Sequence, residues 1–472
     1  MLLDPNACYA ALTARDPRFD GQWFVAVSST RVYCRPVCRV RTPKAANCSF
    51  YELAAAAEAA GYRPCRKCRP ELAPRAFSAL VASEQLAQAA RERLDAGWLQ
   101  GLADLAAELG VTDRHLRRIF QQHWGVSPLQ YQQTQRLLLA KALLTDTDLP
   151  IADVALRAGF GSARAFHAAW AQHYRLVPGD LRRQAKPGSN APRARLQLGL
   201  RPPFATEHLL RFLGLRAVPA VEEVNENART ITRCWPLSDG RWGQLRARLG
   251  ERAVELELSP LLWQQPGAVL AGVRSWLDLD ANPAIIDAHL QAAGLPVLPG
   301  LRLPGCPDRF ELGLRAILGQ QVTVAAARTL ATRLVERYGQ PLPAEERLES
   351  GPTHRFPRPE ELATVPAEDI AALGMPLKRA QALQALARAW PQLRFARRQG
   401  EPALAERELT ELPGIGPWTA AYLLMRGWPH PDRFLPGDVI LRQQLERHPQ
   451  VQPEACAPYR SYAVLQLWNA AP

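Results

Sequence analysis

The sequence predicts a multidomain, mainly α-helical chain in four parts: a small cysteine-bearing α/β domain, an all-α double helix-turn-helix, a small α+β domain with an antiparallel sheet, and an all-α helix-hairpin-helix domain. Three observations lead there. At 472 residues the chain is too long for one hydrophobic core. Four of its nine cysteines stand as two short pairs within 34–68. Helical apolar runs broken by Gly and Pro fill 76–185 and 286–472, on either side of a stretch whose apolar residues alternate instead.

Composition narrows the class. Apolar residues make up 47%, enough for real cores and against a disordered chain. A net charge of +13 and a pI of about 9.6 favour a polyanionic partner, with a merely basic enzyme as the alternative. There is no run of eighteen apolar residues, so neither a transmembrane helix nor a membrane partner is expected. The first twenty residues carry Asp4, Asp16 and Asp20 and no basic n-region. They do not read as a signal peptide, and a cytoplasmic location with reduced thiols is expected.

Residues 1–75 hold Cys34-Arg-Pro-Val-Cys38 and Cys65-Arg-Lys-Cys68. Two close cysteine pairs at this separation suit one tetrahedral Zn²⁺ with Cys34, Cys38, Cys65 and Cys68 as ligands; a purely structural metal is the commonest use of such a set. The region has twelve Lys or Arg against six Asp or Glu, and Arg35, Arg39, Arg66 and Lys67 flank the thiols, where they could hold a DNA phosphate. The segment Trp23–Glu71 closely resembles the zinc domain of the Ada methylation-response family. The resemblance implies that Cys34 takes a methyl group irreversibly from a DNA methyl phosphotriester, and that losing its negative charge strengthens DNA binding. Cys48 lies between the pairs without a ligand role and reads as a small buried hydrophobe.

Residues 76–185 carry two copies of one pattern, 102–128 and 151–183. In each, an apolar helix ends at Gly110 or Gly159, and Thr112 or Ser162 is placed to cap a second helix. A single copy is often an ordinary helical hairpin; two copies joined by a long helix are far more specific. The pair is similar to the AraC-type regulator domain, which implies base or phosphate contacts from Arg114, Arg117, Arg118, Ser162, Arg164 and His167, with Arg182 and Arg183 on phosphates. The region has twelve basic and ten acidic residues, so its positive charge must be segregated on one face. A Pro-, Gly-, Ser- and Asn-rich linker follows at 186–195, and 196–285 then alternates as in Ala253–Leu258.

The last part, 286–472, contains Leu412-Pro-Gly-Ile-Gly416 followed by a helix opening at Trp418. Gly414 and Gly416 allow a tight hairpin whose N–H groups, with Thr419 beside them, could meet a phosphate. About twenty residues on stands Asp438, read in isolation as an N-cap. The combination is similar to the AlkA family of alkyl-base DNA glycosylases. That resemblance implies a catalytic role for Asp438; a base pocket of Trp418, Tyr422, Gln320 and, more weakly, Trp468; and an intercalating wedge at Gln321, where the family often has Leu. Core packing is the alternative for the two Trp and the Tyr. Segment 196–285 resembles the small N-terminal sheet domain of that family and offers no catalytic cluster of its own.

Three absences shape the expected chemistry. Trp418 stands where lyase-type relatives carry a Schiff-base Lys, so a monofunctional glycosylase is expected. Only Cys456 lies near the end of the chain, so no iron–sulfur cluster is expected, nor any organic cofactor. No Pro-Cys-His-Arg acceptor motif follows the regulator part. The expected whole is a bacterial, nucleoid-associated monomer on double-stranded DNA, with RNA polymerase as a candidate partner. It would excise 3-methyladenine and similar bases and regulate transcription. The alternative is a regulator whose C-terminal half only binds damaged DNA.

Overall fold

A computed structural model describes residues 5–74, 82–95, 97–98, 101–184, 195–348, 351–397 and 402–470. The expected linker lies outside them except for Arg195. The chain divides into two compact units: Met1–Pro202 with Arg252–Glu257 and Trp263–Gly272, and Pro203–Glu251 with Leu258–Leu262 and Val273–Pro472.

The first unit opens with α1 (Pro5–Ala14) and a sheet of β1 (Phe24–Val27), β2 (Val32–Cys34), β3 (Cys48–Tyr51) and β4 (Arg63–Pro64), in the order β3-β1-β2-β4. Strand β4 is parallel to β2, which requires a crossover, and α2 (Ala54–Ala59) lies in it. Seven helices follow: α3 (Ala82–Asp95), α4 (Leu102–Glu108), α5 (Asp113–Trp124), α6 (Pro128–Asp146), α7 (Ile151–Arg157), α8 (Ala163–Tyr174) and α9 (Pro178–Gln184). The long α6 starts at a Ser127–Gln130 capping box, with Pro128 in its first turn. It is buried on most of its surface and forms the spine between the two helix-turn-helix copies.

The cysteine-bearing sheet is docked on α6 by charged groups taken out of water. Arg69 pairs with Asp146 at 2.7 Å and with Glu71 at 2.8 Å, and Lys141 reaches Glu71 at 2.5 Å. Glu58 of α2 accepts from the Tyr33 hydroxyl at 2.9 Å and from Thr134 of α6 at 2.8 Å. Burial raises its carboxyl to about 7 despite those hydrogen bonds. The folded state therefore keeps a proton over a window, from about 4.5 to about 7, in which the unfolded chain has released it. Stability from this group is complete below the window and is lost as pH rises through 7, by about 3 kcal/mol. Glu58→Gln should remove that slope and leave the first unit more stable than wild type at pH 8. Chemical denaturation of both proteins at pH 5 and pH 8 checks it, and equal slopes would show that Glu58 does not hold the proton.

Residues 195–292 form β5 (Arg195–Gly199), α10 (Thr206–Arg216), β6 (Glu222–Asn225), β7 (Thr230–Pro236), β8 (Trp242–Leu249), β9 (Ala253–Leu258), α11 (Pro266–Trp276) and α12 (Pro283–Ala292). In the first unit β5 pairs antiparallel with β9; in the second, β6, β7 and β8 form an antiparallel meander. The segment expected as one α+β domain thus contributes to both units.

The second unit continues with α13 (Arg309–Leu318), α14 (Val324–Tyr338), the two-residue strands β10 (Gln340–Pro341) and β11 (His354–Arg355), α15 (Pro359–Ala363), α16 (Ala367–Ala371), α17 (Leu377–Ala389), α18 (Arg394–Arg397), α19 (Pro402–Thr410), α20 (Pro417–Gly427), α21 (Val439–Arg447) and α22 (Arg460–Asn469). Phe310, Ile317, Leu334, Leu386, Leu409 and Leu423 bring α13, α14, α17, α19 and α20 around one core. A buried network of Arg233 with Glu222 and Glu311, joined by Arg315, ties the meander to α13. Every charge in it has an opposite partner, the condition for keeping ions in an interior.

Candidate functional sites

The register of β2 with β4 pairs Tyr33 with Pro64, so Cys34 and Cys65 come next to each other at the strand ends. The turns that follow bring in Cys38 and Cys68. The four sulfurs all lie within 4.8 Å of one another. A tetrahedral zinc with Zn–S bonds of about 2.3 Å needs sulfurs about 3.8 Å apart, so the set fits one ion. Cys34, Cys38 and Cys65 are buried, whereas Cys68 is half-buried and accepts the Arg35 backbone N–H at 3.3 Å.

Arg35 is not available to a phosphate. Its guanidinium pairs with Asp20 and donates to the Cys68 carbonyl at 3.2 Å, so it braces the cysteine turn. Arg39 and Lys67 are exposed and Arg66 is half-buried. Cys48 is half-buried on β3 rather than buried, with its sulfur on the Lys44 carbonyl.

Both helix-turn-helix copies have the caps their sequences imply. Thr112 accepts from His115 N–H at the start of α5, and Ser162 from Ala165 N–H at the start of α8. Gly110 and Gly159 take positive φ at the turns. Arg114, Arg117, Arg118, Ser162, Arg164 and His167 are all exposed. Arg117 pairs with Asp113 on the surface, an exchangeable contact. Arg182 departs from expectation: it is half-buried and donates to the Leu149 carbonyl, which ties α9 back to the loop before α7. Arg183 is exposed and pairs with Asp180.

In the second unit the glycine hairpin joins α19 to α20. Gly414 has φ +78°, and a Cβ there would lie 2.6 Å from the Ala382 Cβ. Gly416 differs from expectation: it is the N-cap of α20 in an extended conformation, with open space around it. Gly414→Ala should therefore cost about 1–3 kcal/mol through strain and overpacking, while Gly416→Ala changes little. Denaturation midpoints of the two variants test this, and equal midpoints would remove the distinction.

Gln320 and Thr419 also differ from expectation. The Gln320 amide donates to the Gly414 carbonyl at 2.7 Å and to the Thr419 hydroxyl at 3.2 Å. Thr419 is buried. Both side chains lock the turn after α13 to the hairpin, leaving neither free for base or phosphate.

Asp438 caps α21 and accepts Leu441 N–H on Oδ1 at 2.9 Å. The Trp418 indole donates to its Oδ2 at 2.9 Å, and the Trp468 indole to Oδ1 at 3.3 Å. The cap and the expected catalytic position are thus one residue. Trp418 stacks on Tyr422 with centroids 5.1 Å apart and planes 10° apart, and Tyr422 lies 6.5 Å from Trp468. All four side chains are half-buried, so they form a wall that reaches solvent, not a sealed core.

Arg426, which sequence reading did not single out, donates to the Tyr422 hydroxyl at 2.6 Å. Its guanidinium lies 5.1 Å from the Phe212 ring of α10, and Arg216 lies over the same ring at 3.9 Å. The 196–285 segment therefore reaches the aromatic wall. The i,i+4 spacing of Tyr422 and Arg426 was a usable signal; nothing local pointed to Phe212 or Arg216.

Comparison with known proteins covers the same ground. Residues 7–71 match the metal binding domain of Ada, 105–184 a helix-turn-helix domain, 195–308 the AlkA N-terminal domain, and 314–469 the HhH-GPD superfamily of base excision DNA repair proteins. The probable bifunctional transcriptional activator/DNA repair enzyme AlkA of Mycobacterium tuberculosis is 36% identical over 99% of this chain and 96% of its own length. DNA-3-methyladenine glycosylase 2 of Escherichia coli is 38% identical over 57% of this chain and 95% of its own. The bifunctional transcriptional activator/DNA repair enzyme Ada of Escherichia coli is 33% identical over 34% of this chain and 44% of its own. Helix-turn-helix and base-excision modules in one chain make DNA its partner, and the matched cysteine set gives it one zinc site. The chain belongs to the family of bifunctional transcriptional activators and DNA repair enzymes that join an Ada-type regulator to an AlkA-type glycosylase.

Proposed function

We propose that the second unit hydrolyses the N-glycosidic bond of alkylated bases, 3-methyladenine among them, with Asp438 as the catalytic carboxylate. The observation that carries this reading is a carboxylate whose two oxygens are pinned by Trp418, Trp468 and Leu441 N–H at the edge of a half-buried aromatic wall. A nucleotide extruded from the duplex would place its base against Trp418 and Tyr422. An alkylated purine already carries positive charge and is a good leaving group. The C1′–N bond breaks with its electron pair going to the base. The Asp438 carboxylate stabilises the oxocarbenium ion that remains, and water adds to C1′ and gives up a proton. No amine stands at Trp418 to form a Schiff base, so the product is an intact abasic site.

In the first unit, Cys34, Cys38, Cys65 and Cys68 would hold the zinc, which when bound keeps thiols ionised near neutral pH. Cys34 Sγ attacks the methyl carbon of a phosphotriester. An S–C bond forms, the C–O bond breaks, and the phosphodiester leaves with its electron pair. The methylated protein carries one negative charge fewer beside the phosphates and binds promoter DNA more tightly, through Arg39, Arg66 and Lys67 and the exposed residues of α5 and α8. The functional modules are 1–75, 76–185 and 286–472. The working form is a monomer on the bacterial nucleoid that can engage RNA polymerase.

Incubating the full chain with methylated duplex DNA tests the glycosylase reading. Free 3-methyladenine should appear, with strands intact until alkali is added. Binding to the damaged DNA without base release would instead leave only the regulator.

A further inference from the structure

Strand β5 is the first element after the linker and opens the stretch that matches the AlkA N-terminal domain, yet it belongs to the first unit. Its end approaches the cysteine-bearing part more closely than a side chain would allow. A Cβ on Gly199 would fall 1.8 Å from the Leu72 carbonyl oxygen, four residues past Cys68, and 3.7 Å from Arg35 Nη2. Gly21, at φ +76°, is as confined: a Cβ there would meet the Pro74 carbonyl oxygen at 1.5 Å and Arg201 Nη2 at 3.2 Å. Arg201 itself is 1% exposed, and its Nε donates to the Asp20 backbone carbonyl at 2.7 Å. The Asp20 carboxylate in turn accepts Arg35 Nε at 2.8 Å. Arg35 donates its backbone N–H to Cys68 Sγ and a guanidinium N–H to the Cys68 carbonyl. One chain of contacts thus runs Arg201–Asp20–Arg35–Cys68 inside the first unit, and its first link spans 181 positions. A guanidinium is costly to bury, and packing alone does not call for one.

We propose that Arg201 is a positioning residue of the methyl-acceptor site, supplied from beyond the linker to select which zinc-bound sulfur reacts. Fixing the Asp20 backbone sets its carboxylate, the carboxylate sets Arg35, and Arg35 keeps an N–H on the Cys68 sulfur. A thiolate that accepts a hydrogen bond is the weaker nucleophile, so the chain of contacts holds Cys68 back and leaves Cys34 to attack. This rests on the reading of Cys34 as the methyl acceptor. The part matched to Ada, residues 7–71, does not contain Arg201, so it does not fix the choice of sulfur by itself.

The test is limiting methyl iodide on the zinc-loaded full chain, with the methyl located by peptide mapping. A thiolate sulfur forms the S–C bond as the C–I bond breaks, and iodide leaves with the electron pair. Wild type should favour Cys34 over Cys68 at least tenfold. Arg201→Met should lower that ratio about tenfold, the worth of one hydrogen bond to a charged sulfur, with one zinc per chain retained. Arg201→Lys, which keeps a donor for the Asp20 carbonyl, should restore most of it. Asp20→Asn should shift the ratio the same way, and the double variant should shift it no further, because both act through Arg35. In the Co²⁺-substituted protein, Arg201→Met should move the thiolate-to-metal charge-transfer band to lower energy. A ratio or a band unchanged in Arg201→Met, shifts that add in the double variant, or loss of zinc from Arg201→Met overturns the inference. Methyl uptake from phosphotriester DNA by wild type reports separately on the acceptor reading.

Discussion

Asp438→Asn should lower the single-turnover rate of base release by at least a hundredfold, about 3 kcal/mol of lost transition-state stabilisation, while leaving affinity for an abasic-site duplex unchanged or improved. The two readouts separate because Asp438 has two jobs in the proposed reaction. As an N-cap it is replaceable: Asn is as good a cap as Asp, and its carbonyl oxygen can still accept Leu441 N–H and the Trp468 indole. As a charge it is not, since an amide gives no full negative charge to an oxocarbenium ion. One local cost follows from the geometry. The Asn amide nitrogen would face the Trp418 indole N–H, two donors in contact, so about 1–2 kcal/mol of stability should be lost as well. Thermal unfolding of the variant measures that cost apart from the chemistry. Wild-type rates in Asp438→Asn would remove the carboxylate from the mechanism.

Much of this arrangement is legible in the sequence, and the reason differs from part to part. The four cysteines are legible because a metal is gripped by short chelating pairs, and their spacing is local. The helix-turn-helix caps are legible because Thr112 and Ser162 act within three residues of themselves. Asp438 is legible because its cap is local and the glycine hairpin lies only about twenty residues before it. Four of the residues that sequence reading misplaced share one property: their partners are distant in the chain. Gln320 and Thr419 meet across 99 positions, Arg35 turns to Asp20, and Arg182 turns to the Leu149 carbonyl. An Arg or Gln in a basic, DNA-reading context looks free until the fold hands it a carbonyl. The two glycines of the hairpin make the same point on a smaller scale. Gly414 is required by its φ and by Ala382 on α17, a contact no local pattern encodes, whereas Gly416 is required by neither. Glu58 is the extreme case, a carboxyl in an alanine-rich helix whose proton is held by burial, with Tyr33 and Thr134 of α6 as its distant partners.

Cys34→Ala should abolish methyl uptake from methyl-phosphotriester DNA, and intact mass followed by peptide mapping should place one methyl on Cys34 in the wild type. Exposure alone would select another sulfur. Cys34 is 5% exposed, while Cys68 is the one half-buried member of the set. Nucleophilicity decides against Cys68. Its sulfur accepts the Arg35 N–H, an interaction that draws down the charge available for attack, whereas no N–H donor reaches the Cys34 sulfur among the described residues. The Asp20–Arg35 pair fixes that difference, because it holds the Arg35 backbone over Cys68. Methylation should then raise DNA affinity about five- to tenfold at low salt, as expected for one negative charge removed within a few ångströms of phosphates, and the gain should shrink as salt is added. A methyl found on Cys68 would show that access outweighs charge at this site. A protein that gains no methyl at all would reduce the zinc to a structural clamp, and the regulator would then have to sense damage by another route.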